Sequence, residues 1–171
     1  MFLEDELHAA YKFINSPILN FPFPHLYIEN IFSENFYSEI QENLLDSNEM
    51  TSIADLNPGI PGLAVYKDRF VMDLNKKESM KKVGEVKREF WISFHEKMAP
   101  SLSNIFRAKF KSFLDMRFKY LKNVSYSDQL QLICDKKNYS LGPHTDQPSK
   151  VVSLIIYLPK DCSQLSTGTS I

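Results

Sequence analysis

Cysteine is scarce in this chain: Cys134 and Cys162 are the only two in 171 residues, and they stand far from any Cys-x-x-Cys spacing. That excludes a disulfide framework and a zinc knuckle. Buried thiols are the plain reading, with Cys162, in a turn, the more reactive of the two if exposed. No apolar run approaches the roughly 20 residues that a membrane-spanning helix needs. Internal repeats and low-complexity stretches are also missing. The opening Met1-Phe2-Leu3-Glu4-Asp5-Glu6 is acidic where a secretory or mitochondrial leader would be basic, so a cytoplasmic location is expected.

Net charge is small too, at −1, yet the charges are segregated. Residues 1–75 hold 3 basic and 12 acidic side chains, residues 76–122 hold 13 and 5, and residues 123–171 hold 4 and 4. A basic middle segment is where a nucleic acid would bind. Packing of an acidic N-terminal layer against basic helices explains the same asymmetry, and a balance this near zero leaves no overall attraction for a polyanion. The reading is therefore against a nucleic-acid partner and against a membrane.

What is present is a large apolar inventory. The chain is 43% hydrophobic with 13 Phe and 8 Tyr, enough for one packed domain over residues 1–171. A chain of this length buries about 70% of its unfolded surface.

The pattern along the chain is helical first. Residues 3–14 read as a short amphipathic helix stopped by Asn15-Ser16-Pro17, and residues 26–31 as a strand. Ser33 is placed to cap a helix that runs to about residue 45, with Phe36, Ile40 and Leu44 at four-residue spacing. Residues 48–63, with Pro58, Gly59, Pro61 and Gly62, read as loop, and residues 69–74 as a strand. A helix over 77–98 carries Met80, Val83, Lys87, Phe90, Trp91, Phe94 and Met98 on one stripe, and Pro100 is expected to break it. A second helix over 101–121 lines up Leu102, Ile105, Phe106, Phe110, Phe113, Leu114, Phe118 and Leu121, flanked by Arg107, Lys109, Lys111 and Lys119. Basic residues among aromatics can stack bases, but this spacing is better explained as core. From Gln129 the period changes to strand: residues 129–134, a turn at 135–138, and then residues 151–158, a strongly β-prone run.

Between those last strands lies Tyr139-Ser140-Leu141-Gly142-Pro143-His144-Thr145-Asp146. On an extended strand residues i and i+2 point the same way, so His144 and Asp146 are spaced to hold one metal ion together. An imidazole beside a carboxylate, with a third ligand from elsewhere, is the facial triad that leaves open positions on Fe(II). With 4 His and 10 Asp in the chain, a bare His-x-Asp arises by chance in about one such chain in four. The rigid Gly142-Pro143 entry and the β-prone run that follows add context.

Residues 139–171, YSLGPHTDQPSKVVSLIIYLPKDCSQLSTGTSI, resemble the metal-binding and following strands of the Fe(II)/2-oxoglutarate-dependent dioxygenases, in the broad prolyl-hydroxylase-like group. The matching features are His144 and Asp146, Pro148, Lys150, Tyr157-Leu158-Pro159 and Gly168-Thr169, in that order. Residues 21–32 are more loosely similar to the strand that opens many such domains. The resemblance implies an α+β protein: an incomplete double-stranded β-helix, or jelly roll, buttressed by N-terminal and central helices. Residues 1–122 would be mainly helical support with an opening strand, and residues 123–171 the first part of the jelly-roll core.

The resemblance also implies chemistry. His144 and Asp146 would bind Fe(II), and 2-oxoglutarate would complete the site with ascorbate as reductant. Tyr139 and Lys150 would face the co-substrate, with Lys160 a further nearby cation. Family members supply a distal His and then an Arg or Lys for the far carboxylate of 2-oxoglutarate, and the sequence is expected to stop before both. His8, His25 and His95 are the other imidazoles, each read more simply as a surface or capping residue. A half-built barrel leaves open strand edges, so a strand-exchanged homodimer is expected. Two other readings stay open: an inactive jelly roll that binds metal or a partner, and an unrelated α+β binding protein with a chance His-x-Asp.

Overall fold

A computed structural model of the protein describes residues 3–56, 58–59, 66–136, 146–161 and 163. Glu4, Asp5 and Glu6 open the first helix, α1 (Leu3–Asn15), and Lys12 lies in its last turn, an order of charge that complements the helix dipole at both ends. Ala9 and Phe13, one turn apart, are its buried residues. Helix α2 (Glu34–Glu42) begins where the Phe36 amide donates to Ser33 Oγ at 3.2 Å. Phe36 and Ile40 form its buried face.

Residues 26–31 do not form the expected strand. Leu19 and His25 make an isolated antiparallel bridge instead. Asn30 then takes a φ of 52°, which turns the chain out of extended geometry. The expected loop over 48–63 holds short structure: strand β1 (Thr51–Ser52) runs directly into α3 (Ile53–Leu56), where the Ala54 amide donates to Ser52 Oγ at 3.2 Å. The turn after it uses Gly59 at φ 100°, in the left-handed region where a side chain is disfavoured.

Strand β2 (Arg69–Asp73) lies between β1 and β3 (Gln131–Asp135), antiparallel to both. The register sets Phe70 opposite Cys134 and Met72 opposite Leu132. Side chains alternate along a strand, so those four share the face that packs on the core, while Ile133 points the other way and is 51% exposed. Arg69 and Asp135 close the end of this pairing with a two-pronged bond, Nε to Oδ1 at 2.7 Å and Nη2 to Oδ2 at 2.8 Å.

The central helices differ from expectation at both ends and at Pro100. Lys77–Lys82 is a 3₁₀ helix, and α4 (Glu85–Ser93) starts only after Gly84. A π turn, Phe94–Met98, carries α4 into α5 (Ala99–Lys109) with no break at Pro100. Proline offers no N–H, and its ring crowds the carbonyl one turn back. The widened turn, in which the Ala99 amide reaches back to Phe94 O, accommodates both effects. The interruption falls instead at Phe110 (φ −94°, ψ 12°), before α6 (Lys111–Phe118).

The core joins α1, α2 and the α4–α5 rod to the inner face of the sheet. Phe36 and Phe94 stack with ring centres 6.2 Å apart, and Trp91 Nε1 donates to Asn43 O at 2.7 Å. Met50, Met72, Met80 and Met98 are all buried and fill the gaps between the rings. Leu102, Phe110 and Leu114 are buried as well, with Ile105 and Phe106 packed against the core, but the expected stripe does not stay inside to its end: Phe113 and Phe118 are only partly buried and Leu121 is 61% exposed. The two charge layers meet at Lys87 and Glu49, 3.1 Å apart, and at Lys109 Nζ, which donates to Ile14 O at 2.6 Å.

The described residues thus form helices and one three-stranded antiparallel sheet, an α+β arrangement. Residues 151–158, expected as a strand, join no ladder among the described residues. Ile156 and Leu158 pack on the core, while Val152, Leu154, Ile155 and Tyr157 face outward. No helix among the described residues is long and apolar enough to cross a membrane.

Candidate functional site

Asp146 begins a turn that folds back on its own carboxylate. The Lys150 ammonium lies 2.9 Å from Oδ1, and Ser153 Oγ donates to Oδ2, also at 2.9 Å. The Lys150 amide donates to Gln147 O at 2.9 Å, closing the chain between them. Asp146 remains 39% exposed, so the ion pair sits at the surface.

What holds this turn in place comes from helix α6. Arg117 donates to three carbonyls of the turn: Pro148 O at 2.9 Å, Val151 O at 3.2 Å and Lys150 O at 3.4 Å. A guanidinium presents several N–H groups in one rigid plane and can span successive carbonyls as a lysine cannot. Downstream, the chain is tied to α2, where Tyr37 Oη donates to Pro159 O at 2.5 Å and Gln41 Nε2 reaches Leu158 O at 3.3 Å. Burial raises the Tyr37 phenol above its ordinary value, against a smaller lowering by Gln41, which keeps it a donor. Asp146 is therefore carried on a segment tied to α6 by Arg117 and to α2 by Tyr37 and Gln41.

Of the residues singled out in the sequence, Asp146 and Lys150 are brought together directly. His144, Tyr139 and Cys162 lie outside the described residues, as do Gly168 and Thr169. Lys150 directs its ammonium at Asp146. His8 Nε2 is 3.2 Å from Asn30 O, and His25 Nδ1 is 2.8 Å from Phe23 O, so each has a ring nitrogen engaged with backbone. His95 lies in the π turn between α4 and α5. Among the described residues no group of three or more His, Cys, Asp or Glu side chains is arranged to hold a metal ion. Cys134 is half-buried on the inner face of β3, where burial first and Asp135 second push its thiol up, so it stays protonated and inert.

One carboxylate oxygen of Asp146 thus carries the Lys150 ammonium at contact distance, and the other the Ser153 hydroxyl. Arg117 and Ser153 were not singled out by sequence reasoning. The Arg117 contact spans 31 residues to Pro148, and no local pattern reports that distance. Ser153 sits seven residues from Asp146 in a run whose only visible signal is β-propensity.

Comparison with protein-family models, with curated proteins and with solved structures finds no match for this chain.

Proposed function

We propose that the protein is an Fe(II)- and 2-oxoglutarate-dependent oxygenase of unknown substrate, in which His144 and Asp146 are paired metal ligands. The observation that supports this reading is the carboxylate of Asp146, held at the surface by a braced turn with a cation on Oδ1. The resemblance of residues 139–171 supplies the rest, and the jelly-roll core belongs to the same proposal. Iron and 2-oxoglutarate, when bound, supply the oxidising chemistry that hydroxylates an unactivated C–H bond. The chain's own groups hold and orient. Asp146 offsets metal charge through Oδ1, Ser153 keeps the carboxylate plane fixed through Oδ2, and Arg117 sets the position of the whole turn. Tyr139 is assigned a hydroxyl donor role toward the co-substrate. Lys150 can reach the co-substrate only after its ammonium leaves Asp146.

A second reading is favoured by that same ion pair. An ammonium that stays on Asp146 would leave an inactive jelly roll that binds a metal weakly, or a partner, without turnover. The partner in that case is a second copy through exchanged strands, for which the outward Val152, Leu154 and Ile155 are the supporting observation.

Anaerobic titration with Fe(II) and 2-oxoglutarate separates these readings. The oxygenase reading predicts a visible metal-to-ligand charge-transfer band that is lost in His144→Ala. Metal uptake without the band supports the inactive jelly roll. Neither signal leaves only a chance His-x-Asp.

A further inference from the structure

We infer that the outward face of α1, with the groove beside it, is a docking surface for a second copy of this chain, the two α1 helices packing antiparallel about a two-fold axis.

Helix α1 is apolar on two sides. Its inner side is complete: Ala9 and Phe13 are fully buried, and the Phe13 ring meets Phe106 of α5 with centres 5.5 Å apart. Leu3, Leu7, Tyr11 and Ile14 form a second stripe, at successive spacings of four, four and three residues, and each is 60% or more exposed. They take no part in the core of the described residues. Ile14 also forms one wall of an outward groove of about 300 Å³, whose other walls are Ile105, Ala108 and Lys109 of α5. Stripe and groove make one continuous surface, a ridge beside a hole.

Self-complementarity identifies the occupant. An antiparallel pair centred on α1 sets Leu7 of each copy beside Tyr11 of the other and carries Leu3 to the far end, where the groove of Ile14, Ile105 and Ala108 is open. Charge follows the same symmetry. Glu6 lies seven residues before Phe13 and so shares the side of α1 that meets α5. Lys109 stands on that side at the other end of the helix, where its Nζ donates to Ile14 O at 2.6 Å. An ammonium has three donors, so that bond leaves Lys109 able to face a carboxylate. Reversing one helix against the other turns Glu6 of each copy toward Lys109 of the second copy, whereas a parallel pair would set Glu6 against Glu6. The helix dipoles favour the same antiparallel order. A lipid surface fits poorly, because Glu4, Asp5 and Glu6 fill the first turn and anionic headgroups repel them. A face one helix long is small beside the roughly 800 Å² per partner of a stable complex, so the contact is a reversible one.

Sedimentation velocity over a concentration series tests this, with thermal unfolding of each variant as the control for folding. Wild type is expected to self-associate reversibly, and the part that survives Ile155→Lys, a change confined to residues 151–158, belongs to α1. In that background Leu7→Lys is expected to raise the dissociation constant about tenfold or more, since it puts a charge at the centre of the contact. Glu6→Lys and Lys109→Glu are each expected to weaken the dimer, and the two together in one chain to recover it, a reciprocity that damage to the fold does not produce. If Leu7→Lys dimerises like its parent, the surface is overturned. A double charge variant no better than either single one overturns the antiparallel arrangement. Monomer at every concentration overturns the proposal as well, and flotation of that monomer, but not of Leu7→Lys, with mixed phosphatidylcholine and phosphatidylserine vesicles would give the face to lipid instead.

Discussion

Glu49 accepts a hydrogen bond from the Asp46 amide at 2.9 Å and pairs with Lys87 at 3.1 Å. The Asp46 amide first, then Lys87 and the Gly84 amide, hold its carboxyl below the ordinary 4.5, outweighing the raising effect of burial. A group whose folded value is depressed adds stability that is fully present above its unfolded value and is lost as pH falls through the folded one. Urea midpoints of wild type and Glu49→Gln are therefore expected to differ by a constant amount above pH 4.5 and to converge below it. A gap that widens on acidification would refute this assignment. At the same scale, the Asp146–Lys150 pair joins residues four apart in the chain, yet the pairing was not legible beforehand. The His-x-Asp spacing did not show that the nearby lysine would turn onto the carboxylate, in a turn whose carbonyls accept from Arg117 of another element.

Elements were legible where one physical signal dominated. Ser33 is such a case: its hydroxyl accepts from the Phe36 amide at 3.2 Å, as its place before an acidic first turn predicts, and also donates to Asp5 of α1 at 2.8 Å. Ser33→Ala is expected to lower stability by about 1 kcal/mol in urea denaturation, with Ser33→Asn recovering most of it. Equal losses in both variants would assign the effect to the α1 contact rather than to the cap. The buried stripe of Phe90, Trp91, Phe94 and Met98 was equally visible, since helical period and burial coincide there, whereas Met80 and Val83 are buried from a 3₁₀ turn and its extended end rather than from the expected helix. Pro100 misled. Its chemistry says that the helix must adjust, but not whether the adjustment is a break or a widened turn, and packing of Phe94, Met98 and Leu102 on one core keeps the rod continuous. Residues 26–31 and 151–158 misled in the opposite sense. Both are apolar enough for a strand, but a strand exists only with a neighbour to pair with, and neither pairs into the sheet of the described residues.

On the scale of the whole molecule, the apolar surface left outward among the described residues includes helix α1 and residues 151–158. Helix α1 buries Ala9 and Phe13 yet exposes Leu3, Leu7, Tyr11 and Ile14, each by 60% or more. Residues 151–158 expose Val152, Leu154, Ile155 and Tyr157 beside a backbone that joins no sheet among the described residues. Surface of this kind recruits another chain. Sedimentation velocity is expected to show concentration-dependent self-association of wild type, reduced in Ile155→Lys. A single monomer boundary at every concentration, with no binding of an exposed-hydrophobe dye, would remove the support for strand exchange.

The amino-acid order alone determined the helical stripes, the cap at Ser33, the charge layering and the spacing of His144 and Asp146, because each rests on periodicity or on contacts within a turn. Only the tertiary structure decided that the rod runs through Pro100, that residues 26–31 and 151–158 join no strand of the described sheet, and that Lys150 pairs with Asp146 in a turn whose carbonyls accept from Arg117. Those outcomes depend on which distant groups come into reach, and contacts such as Arg117 to Pro148 are formed by packing across 31 residues rather than by any local preference.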